Sequence, residues 1–74
     1  MLWFYERDRE KLRCEVRLAA DRDGYELLIV RPDGTESIEH FKDLPQVLHR
    51  EHELHRAWEA QGWKEVRGPR EPPS

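Results

Sequence analysis

The sequence predicts a small α+β domain in which a four-stranded antiparallel meander is followed by one C-terminal helix packed across one sheet face. Three observations predict this ββββα order. Short apolar or alternating runs, which are typical of strands, fill the first 41 residues. Turn signals built from Asp, Gly and Pro separate these runs. After Asp43 the apolar residues recur every three or four positions, as on one face of a helix.

The first two predicted strands are Leu2–Arg7 and Lys11–Ala20, joined by a turn at Asp8–Arg9 or by a slightly wider loop. The second strand has the most regular alternation in the chain. Its even positions are apolar from Leu12 onward, and its odd positions are charged as far as Arg17. Such alternation is typical of a half-buried antiparallel strand whose apolar positions face the core.

The third predicted strand lies within Gly24–Arg31 and contains four successive apolar residues. The Asp-Gly pair at its start predicts a tight hairpin. A two-residue turn would place Leu18 opposite Ile29, and a four-residue turn would place it opposite Leu27. Either register puts these two partners on the core face and leaves Leu28 on the other face.

The fourth predicted strand, Thr35–Phe41, is mostly polar and follows a turn at Arg31–Thr35. The Pro-Asp-Gly sequence in this turn suits a type I turn closed by a glycine at positive φ. Such a turn would place Ile38 beside Leu28, on the face away from the helix.

The helix is predicted to run from Asp43 to about Gln61. Asp43 is a favourable N-cap, and a glutamine three residues later completes a capping box. Gly62 supplies the left-handed residue that commonly ends a helix, and an apolar residue such as Trp63 often follows it. The segment from Trp63 to Arg67 either adds a short edge strand or packs back on the sheet.

The predicted core combines the inner face of the sheet with the apolar stripe of the helix. Its members are Leu12, Cys14, Val16, Leu18, Leu27, Ile29, Val47, Leu54 and Trp58. With this core, residues 1–67 form a single domain near the lower size limit for a stable fold. The proline-rich tail at residues 68–74 has nothing to bury and is expected to be disordered.

Composition and charge narrow the classes of function. Charged residues make up 39% of the chain, but the net charge is −3, so no overall attraction to nucleic acid or to an anionic membrane is expected. No apolar run is long enough to span a membrane. The single cysteine excludes an internal disulfide framework and fits a reducing compartment. We therefore expect a soluble, cytoplasmic protein without a cofactor.

Two patterns on the predicted helix point weakly to chemistry. His49, His52 and His55 are three residues apart, whereas paired zinc ligands on a helix are usually four apart. Glu51 and His55 are four apart within the apolar stripe, so the carboxylate could raise the basicity of the imidazole. A domain of this size has little volume for a substrate pocket. We therefore expect no metal site, no catalytic residue and no enzymatic activity.

The sheet face away from the helix is the stronger candidate for function. The predicted interface residues are Leu28, Val30, Ile38, Lys11, Arg13 and Arg17. An even loop in the first hairpin would add Leu2 and Phe4 to this face, and an odd loop would add Trp3 and Tyr5 instead. Because an apolar patch on a small soluble domain commonly marks a protein interface, we expect a partner to cover these residues.

This pattern favours a small interaction module that self-associates as a homodimer, or binds a protein partner, through that face. The alternative is single-stranded nucleic-acid binding, because aromatic and basic side chains on an open sheet can hold a single strand. The ββββα order resembles, in architecture alone, that of the Whirly and Pur-type single-stranded-DNA-binding domains, which work as assemblies. A net charge of −3 disfavours this alternative. Pairing of the basic residues with glutamates would favour the protein interface.

Overall fold

The computed structural model describes residues 1–20 and 23–66, which form five strands and one helix. In chain order the elements are β1 (Leu2–Arg7), β2 (Glu10–Leu18), β3 (Tyr25–Val30), β4 (Glu36–Phe41), α1 (Leu44–Ala60) and β5 (Lys64–Val66). The predicted domain boundary at residue 67 and the predicted tail at residues 68–74 lie outside the described residues.

The strands form one antiparallel sheet in the order β4-β3-β2-β1-β5, and α1 packs against one of its faces. This confirms the predicted α+β fold, in which a meander of four strands precedes the helix. The segment after the helix both adds a short edge strand and packs back on the sheet. Phe4 of β1 pairs with Val66 of β5 at the sheet edge, while Trp63 is buried against the sheet.

A two-residue turn joins β1 to β2, and it decides which half of β1 faces the helix. Asp8 and Arg9 both have positive φ, at 49° and 75°. These values fit the type I′ turn, whose twist matches that of a two-stranded hairpin. Tyr5 consequently lies opposite Leu12 on the helix side and is fully buried. Its neighbours along β1 alternate with it and point to the other face, as an even loop predicts.

The register of β2 against β3 differs from both predicted registers, because a different pair of residues closes the turn. Val16 lies opposite Leu27, and Leu18 lies opposite Tyr25, where β2 ends. Ala19 N–H donates to the Gly24 carbonyl at 3.0 Å, so these two residues close the turn, in place of a tight Asp23-Gly24 turn. Because the register differs from the predicted ones by an even number of residues, the faces of β3 are nevertheless as predicted.

The hairpin between β3 and β4 confirms the predicted turn and pairing. Arg31 N–H donates to the Thr35 carbonyl at 2.9 Å, and Gly34 N–H donates to the Arg31 carbonyl at 2.9 Å. Gly34 closes the turn with a φ of 89°. This geometry places Ile38 directly opposite Leu28, on the face away from the helix.

Both ends of the helix are set by the predicted capping residues. At the start, the side chain of Asp43 accepts a hydrogen bond from Gln46 N–H at 3.1 Å. At the end, Gly62 has a φ of 96°, and Trp63 N–H donates to the Trp58 carbonyl at 3.0 Å. This is the backbone bond of a Schellman motif, in which an αL glycine satisfies the last carbonyls of the helix.

The core lies between the sheet and α1. Its buried members are Tyr5, Leu12, Cys14, Val16, Leu27, Ile29, Val47 and Trp63. Leu54 and Trp58, which were predicted to be buried, are only partly buried against this core, whereas Tyr5 and Trp63 join it without having been predicted. The prediction for Leu18 is wrong, because the observed register leaves it at the end of β2, opposite Tyr25, with 71% of its surface exposed.

Candidate interaction surface

The sheet face away from α1, here called the open face, collects the side chains that alternate with the buried residues of each strand. It carries Leu2, Phe4 and Glu6 from β1, Lys11, Arg13, Glu15 and Arg17 from β2, Glu26, Leu28 and Val30 from β3, Glu36, Ile38 and His40 from β4, and Lys64 and Val66 from β5. All six predicted interface residues therefore lie on one face.

Leu28, at the centre of the open face, is covered by its own chain. Only 4% of its surface is exposed, although it points away from the helix. Glu15 on β2 and Ile38 on β4 lie directly opposite it, so side chains flank it on both sides. Leu28 was expected to need a partner to cover it, but its own chain already shields it from water.

The exposed apolar surface of the open face lies toward its two flanks. Ile38, on the edge strand β4, is 46% exposed, and Leu2, on β1, is 49% exposed. Phe4 and Val66, which face each other across β1 and β5, are half-buried. The open face therefore has two exposed apolar areas with a charged region between them.

Ion pairs within the open face neutralise two of the three predicted basic residues. Arg17 Nε donates to Glu26 Oε1 at 3.0 Å, and Arg17 Nη1 lies 3.9 Å from the carboxylate of Glu15. Lys11 Nζ lies 3.8 Å from Glu6 Oε2. Each of these pairs would compete with a phosphate for the basic group.

Arg13, the third of these basic residues, borders a groove on the open face. The groove has a volume of about 730 Å³ and lies where the β1–β2 and β3–β4 turns approach each other; Phe4, Val30 and Pro32 contribute apolar lining. Arg13 Nε is buried and has no hydrogen-bond partner among residues 1–20 and 23–66. The groove therefore combines apolar walls with a guanidinium group.

A second group of polar side chains lies between the sheet and α1. The Tyr5 hydroxyl is 2.6 Å from His55 Nδ1 and 3.4 Å from Glu51 Oε2. Tyr5 and Glu51 are both buried, and His55 Nε2 lies 3.2 Å from Glu59 Oε2. Sequence spacing pairs Glu51 with His55, but it gives no sign of Tyr5, whose direction depends on the length of the first hairpin loop.

Burial raises the pKa of three groups in or beside this cluster. It is the main cause of the raised pKa of the Tyr5 hydroxyl, to which the nearby Glu51 carboxylate adds. Burial also raises the pKa of Glu51 itself above the usual range of a carboxyl group. It raises the pKa of the Cys14 thiol to about 12. The buried position predicted for Cys14 is confirmed, and a neutral thiol is inert.

The described part of the chain offers neither a cluster of metal ligands nor a membrane-spanning helix. Within residues 1–20 and 23–66, no group of three or more His, Cys, Asp and Glu side chains is placed to hold a metal ion. No helix in the same residues has the length and apolar character needed to cross a membrane. His49, one of the three helical histidines, lies 3.4 Å from Glu53 on the exposed side of α1.

Comparisons of the chain with models of known protein families, with curated proteins and with solved structures found no significant match. The α+β architecture alone does not define a function, because one fold supports many unrelated activities. The contacts and exposure of the open face are therefore the basis for a functional proposal.

Proposed function

We propose that this protein is a small non-enzymatic interaction module that pairs with a second copy of itself through the open face. The exposure of Leu2 and Ile38 on that face is the observation that carries the proposal. Removing such aliphatic surface from water is favourable by about 25 cal/mol per Å². A reducing compartment such as the cytoplasm suits a chain with one free thiol, Cys14.

The balance of charge on the open face favours a second copy as the partner. Its four carboxylates are Glu6, Glu15, Glu26 and Glu36, and its four basic side chains are Lys11, Arg13, Arg17 and Lys64. Because these charges cancel, two copies of the face meet without net repulsion. A two-fold arrangement also lets each copy offer both signs of charge to the other.

The same charges support a protein partner over a single-stranded nucleic acid. Arg17 lies 3.0 Å from Glu26, and Lys11 lies 3.8 Å from Glu6. Phosphate binding would have to replace these carboxylates, which stay nearby and repel the phosphate backbone. Nucleic-acid binding therefore stands as the alternative outcome of the experiment below.

The size of the open face sets the expected strength of pairing. Strands spaced about 4.8 Å apart, with a rise of about 3.3 Å per residue, give a face of roughly 500 Å² for this sheet. A standard protein interface buries about 800 Å² on each partner. We therefore expect weak, concentration-dependent association, which must be measured over a wide range of protein concentration.

Sedimentation equilibrium from micromolar to millimolar concentration tests the proposal. The parent chain should approach twice its monomer mass as the concentration rises. Ile38→Glu should shift this transition about tenfold or more to higher concentration, because a carboxylate on the flank of the open face would have to lose water on pairing. A parent chain that stays monomeric at millimolar concentration overturns pairing with a second copy.

Leu18→Glu is the matched control for this experiment. Leu18 is 71% exposed and lies on the helix side of β2, so its replacement adds the same charge outside the open face. The apparent mass of this variant should rise with concentration as that of the parent does. An equal loss of association in Ile38→Glu and Leu18→Glu would contradict the proposed surface. If the parent is monomeric, binding of an oligothymidylate at low salt would support the nucleic-acid alternative.

A further inference from the structure

The polar cluster between β1 and α1 contains more buried acceptors than its one hydroxyl hydrogen can satisfy. Tyr5 has a single hydroxyl hydrogen, but its oxygen lies 2.6 Å from His55 Nδ1 and 3.4 Å from Glu51 Oε2. Tyr5 is fully buried and Glu51 is 9% exposed, so water is largely kept from these groups. The positions of the hydrogens therefore decide whether the contact is stable.

Two arrangements of hydrogens satisfy all three side chains, and both need one proton in addition to that of the hydroxyl. In the first, a protonated Glu51 donates to the Tyr5 oxygen, and Tyr5 donates to Nδ1 of neutral His55. In the second, a positively charged His55 donates to the Tyr5 oxygen, and Tyr5 donates to ionised Glu51. The two arrangements differ only in where the protons lie along one chain of hydrogen bonds.

Loss of the additional proton leaves an unfavourable contact whichever tautomer His55 adopts. With the hydrogen on Nε2, the Tyr5 hydroxyl can satisfy either the partly buried Nδ1 or the buried, ionised Glu51, and the other acceptor loses this donor. With the hydrogen on Nδ1, the bare Nε2 faces the Glu59 carboxylate at 3.2 Å, so that two acceptors oppose each other.

We propose that Glu51 and His55 share one proton through the Tyr5 hydroxyl, and that this shared proton makes the packing of α1 on the sheet sensitive to pH. The cluster joins β1 to the helix over a separation of about 50 residues in the chain. Release of the shared proton therefore weakens a contact between two distant parts of the chain.

Other titratable groups face the cluster from three elements. Glu59 of α1 and Glu65 of β5 lie 3.2 Å and 4.0 Å from the two ring nitrogens of His55. His52 of α1 and Cys14 of β2 lie close enough to the Glu51 carboxylate to interact with it electrostatically. The thiol stays neutral, because its pKa is about 12.

Glu51 sets the direction of the pH dependence. Burial raises the pKa of its carboxyl group above the ordinary value of 4.5, so the folded chain keeps a proton on Glu51 to a higher pH than the unfolded chain does. The stability that depends on this carboxyl proton is complete below the unfolded-state pKa of the glutamate side chain. It is lost as the pH rises through the raised, folded-state pKa.

Thermal unfolding of Glu51→Gln between about pH 4 and about pH 8 tests the proposal. The glutamine amide always has hydrogens to donate to Tyr5, so it imitates the protonated carboxyl group at every pH. Parent and variant should melt alike at the acid end, and the variant should melt on the order of 5 °C higher at the alkaline end. If the melting temperatures of parent and variant differ by the same amount at every pH, the proposal of a shared proton is wrong.

Glu10→Gln is the matched control, because Glu10 is exposed and its carboxylate lies 3.6 Å from Arg7, whose charge does not change with pH. The melting temperature of this variant should not rise relative to that of the parent as the pH increases. A growing advantage in this variant as well would overturn the assignment of the effect to the Tyr5 cluster.

An NMR titration gives a second test that does not depend on stability. In the parent, the step that releases the shared proton should appear at the same midpoint in the carboxyl carbon of Glu51 and in the ring nitrogens of His55. Tyr5→Phe removes the bridging hydroxyl and should leave each group with a step that the other does not report. Steps that only one of the two groups reports in the parent would overturn the proposal.

Discussion

Cys14 combines complete burial with a pKa of about 12, and both properties should suppress its reactivity. Because the thiolate is the reactive species, a raised pKa lowers the rate of alkylation even where a reagent reaches the sulfur. We expect native-state labelling at neutral pH to be about a hundredfold slower, or more, than labelling in denaturant. Similar rates in the two conditions would contradict the packing of β2 against α1.

Gly24 holds the start of β3 close to the end of β4, and a side chain there should be poorly tolerated. Its φ is 107°, and an added Cβ would collide with the Phe41 carbonyl oxygen. Gly24→Ala should lower the free energy of unfolding by about 2–4 kcal/mol, from backbone strain together with the collision. Urea denaturation measures this change.

Gly34→Ala is the control for that measurement. Gly34 has a similar φ of 89°, but an added Cβ would meet open space. Its replacement should cost about 1–2 kcal/mol, the strain alone. Equal losses in both variants would show that the close approach at Gly24 contributes nothing.

Residue exposure was the property that the sequence predicted least well. The alternation of β2 assigns each side chain to a face, and it places Cys14 correctly in the core. It cannot tell that Leu28 on the open face is shielded, because the shielding comes from Glu15 and Ile38 on two other strands. Tyr5 is missed for a related reason, since the φ values of the first turn decide its direction.

At the scale of the elements, two tryptophans near the end of α1 differ in burial. Trp63 is 6% exposed and also stacks beneath the Arg7 guanidinium, whose Cζ lies 4.6 Å from the ring centroid. Trp58 is only partly buried at the edge of the core, where its ring meets Tyr5 edge-on. The segment that follows the helix therefore contributes more to the core than the last turn of the helix.

Trp63→Ala should accordingly cost about 3–5 kcal/mol of unfolding free energy, as large-to-small changes in a core do. Trp58→Ala should cost less, about 1–2 kcal/mol, because part of its surface is in water in the folded state as well. Chemical denaturation of both variants gives the comparison. A larger loss for Trp58→Ala would mean that the helix stripe, and not the segment after it, dominates the core.

The elements differ in how far local sequence determines them. The helix ends are predictable because Asp43 and Gly62 act on backbone groups within a few residues of themselves. The register of β2 against β3 is not, because it depends on which residues close the turn, and these are Ala19 and Gly24. The three residues of β5 are too few to show any period, so its pairing with β1 is decided by tertiary contacts.

For the whole molecule, the balanced charges of the open face predict that self-association depends little on salt. The basic groups of Lys11 and Arg17 are already paired within one chain, so few counterions are released on pairing. Raising the salt concentration from about 0.05 M to about 0.2 M should change the dimer dissociation constant less than about threefold. A loss of about a thousandfold in affinity over this range is typical of a protein that contacts many phosphates, and it would point to nucleic-acid binding.

The fold class was predictable for the whole molecule because each local signal agreed with the others. Alternating strands, turn residues and helix caps all favoured the same ββββα order, which is typical of sequences that specify one structure. That order placed the β2, β3 and β4 residues of the open face, whereas the β1 residues depended on the length of the first turn. The cluster around Tyr5 did not follow from that order, because it joins residues far apart in the chain and depends on a register that no single segment determines.

The position of β5 beside β1 determines how the domain should respond to mechanical force. Phe4 pairs with Val66 and Glu6 pairs with Lys64, so the beginning of β1 and the end of β5 lie at the same end of the sheet. A force applied between Leu2 and Val66 would load these pairs one after another, as in unzipping, and not together, as in shear. The sheet should therefore open at low force from this edge, with β5 peeling away first.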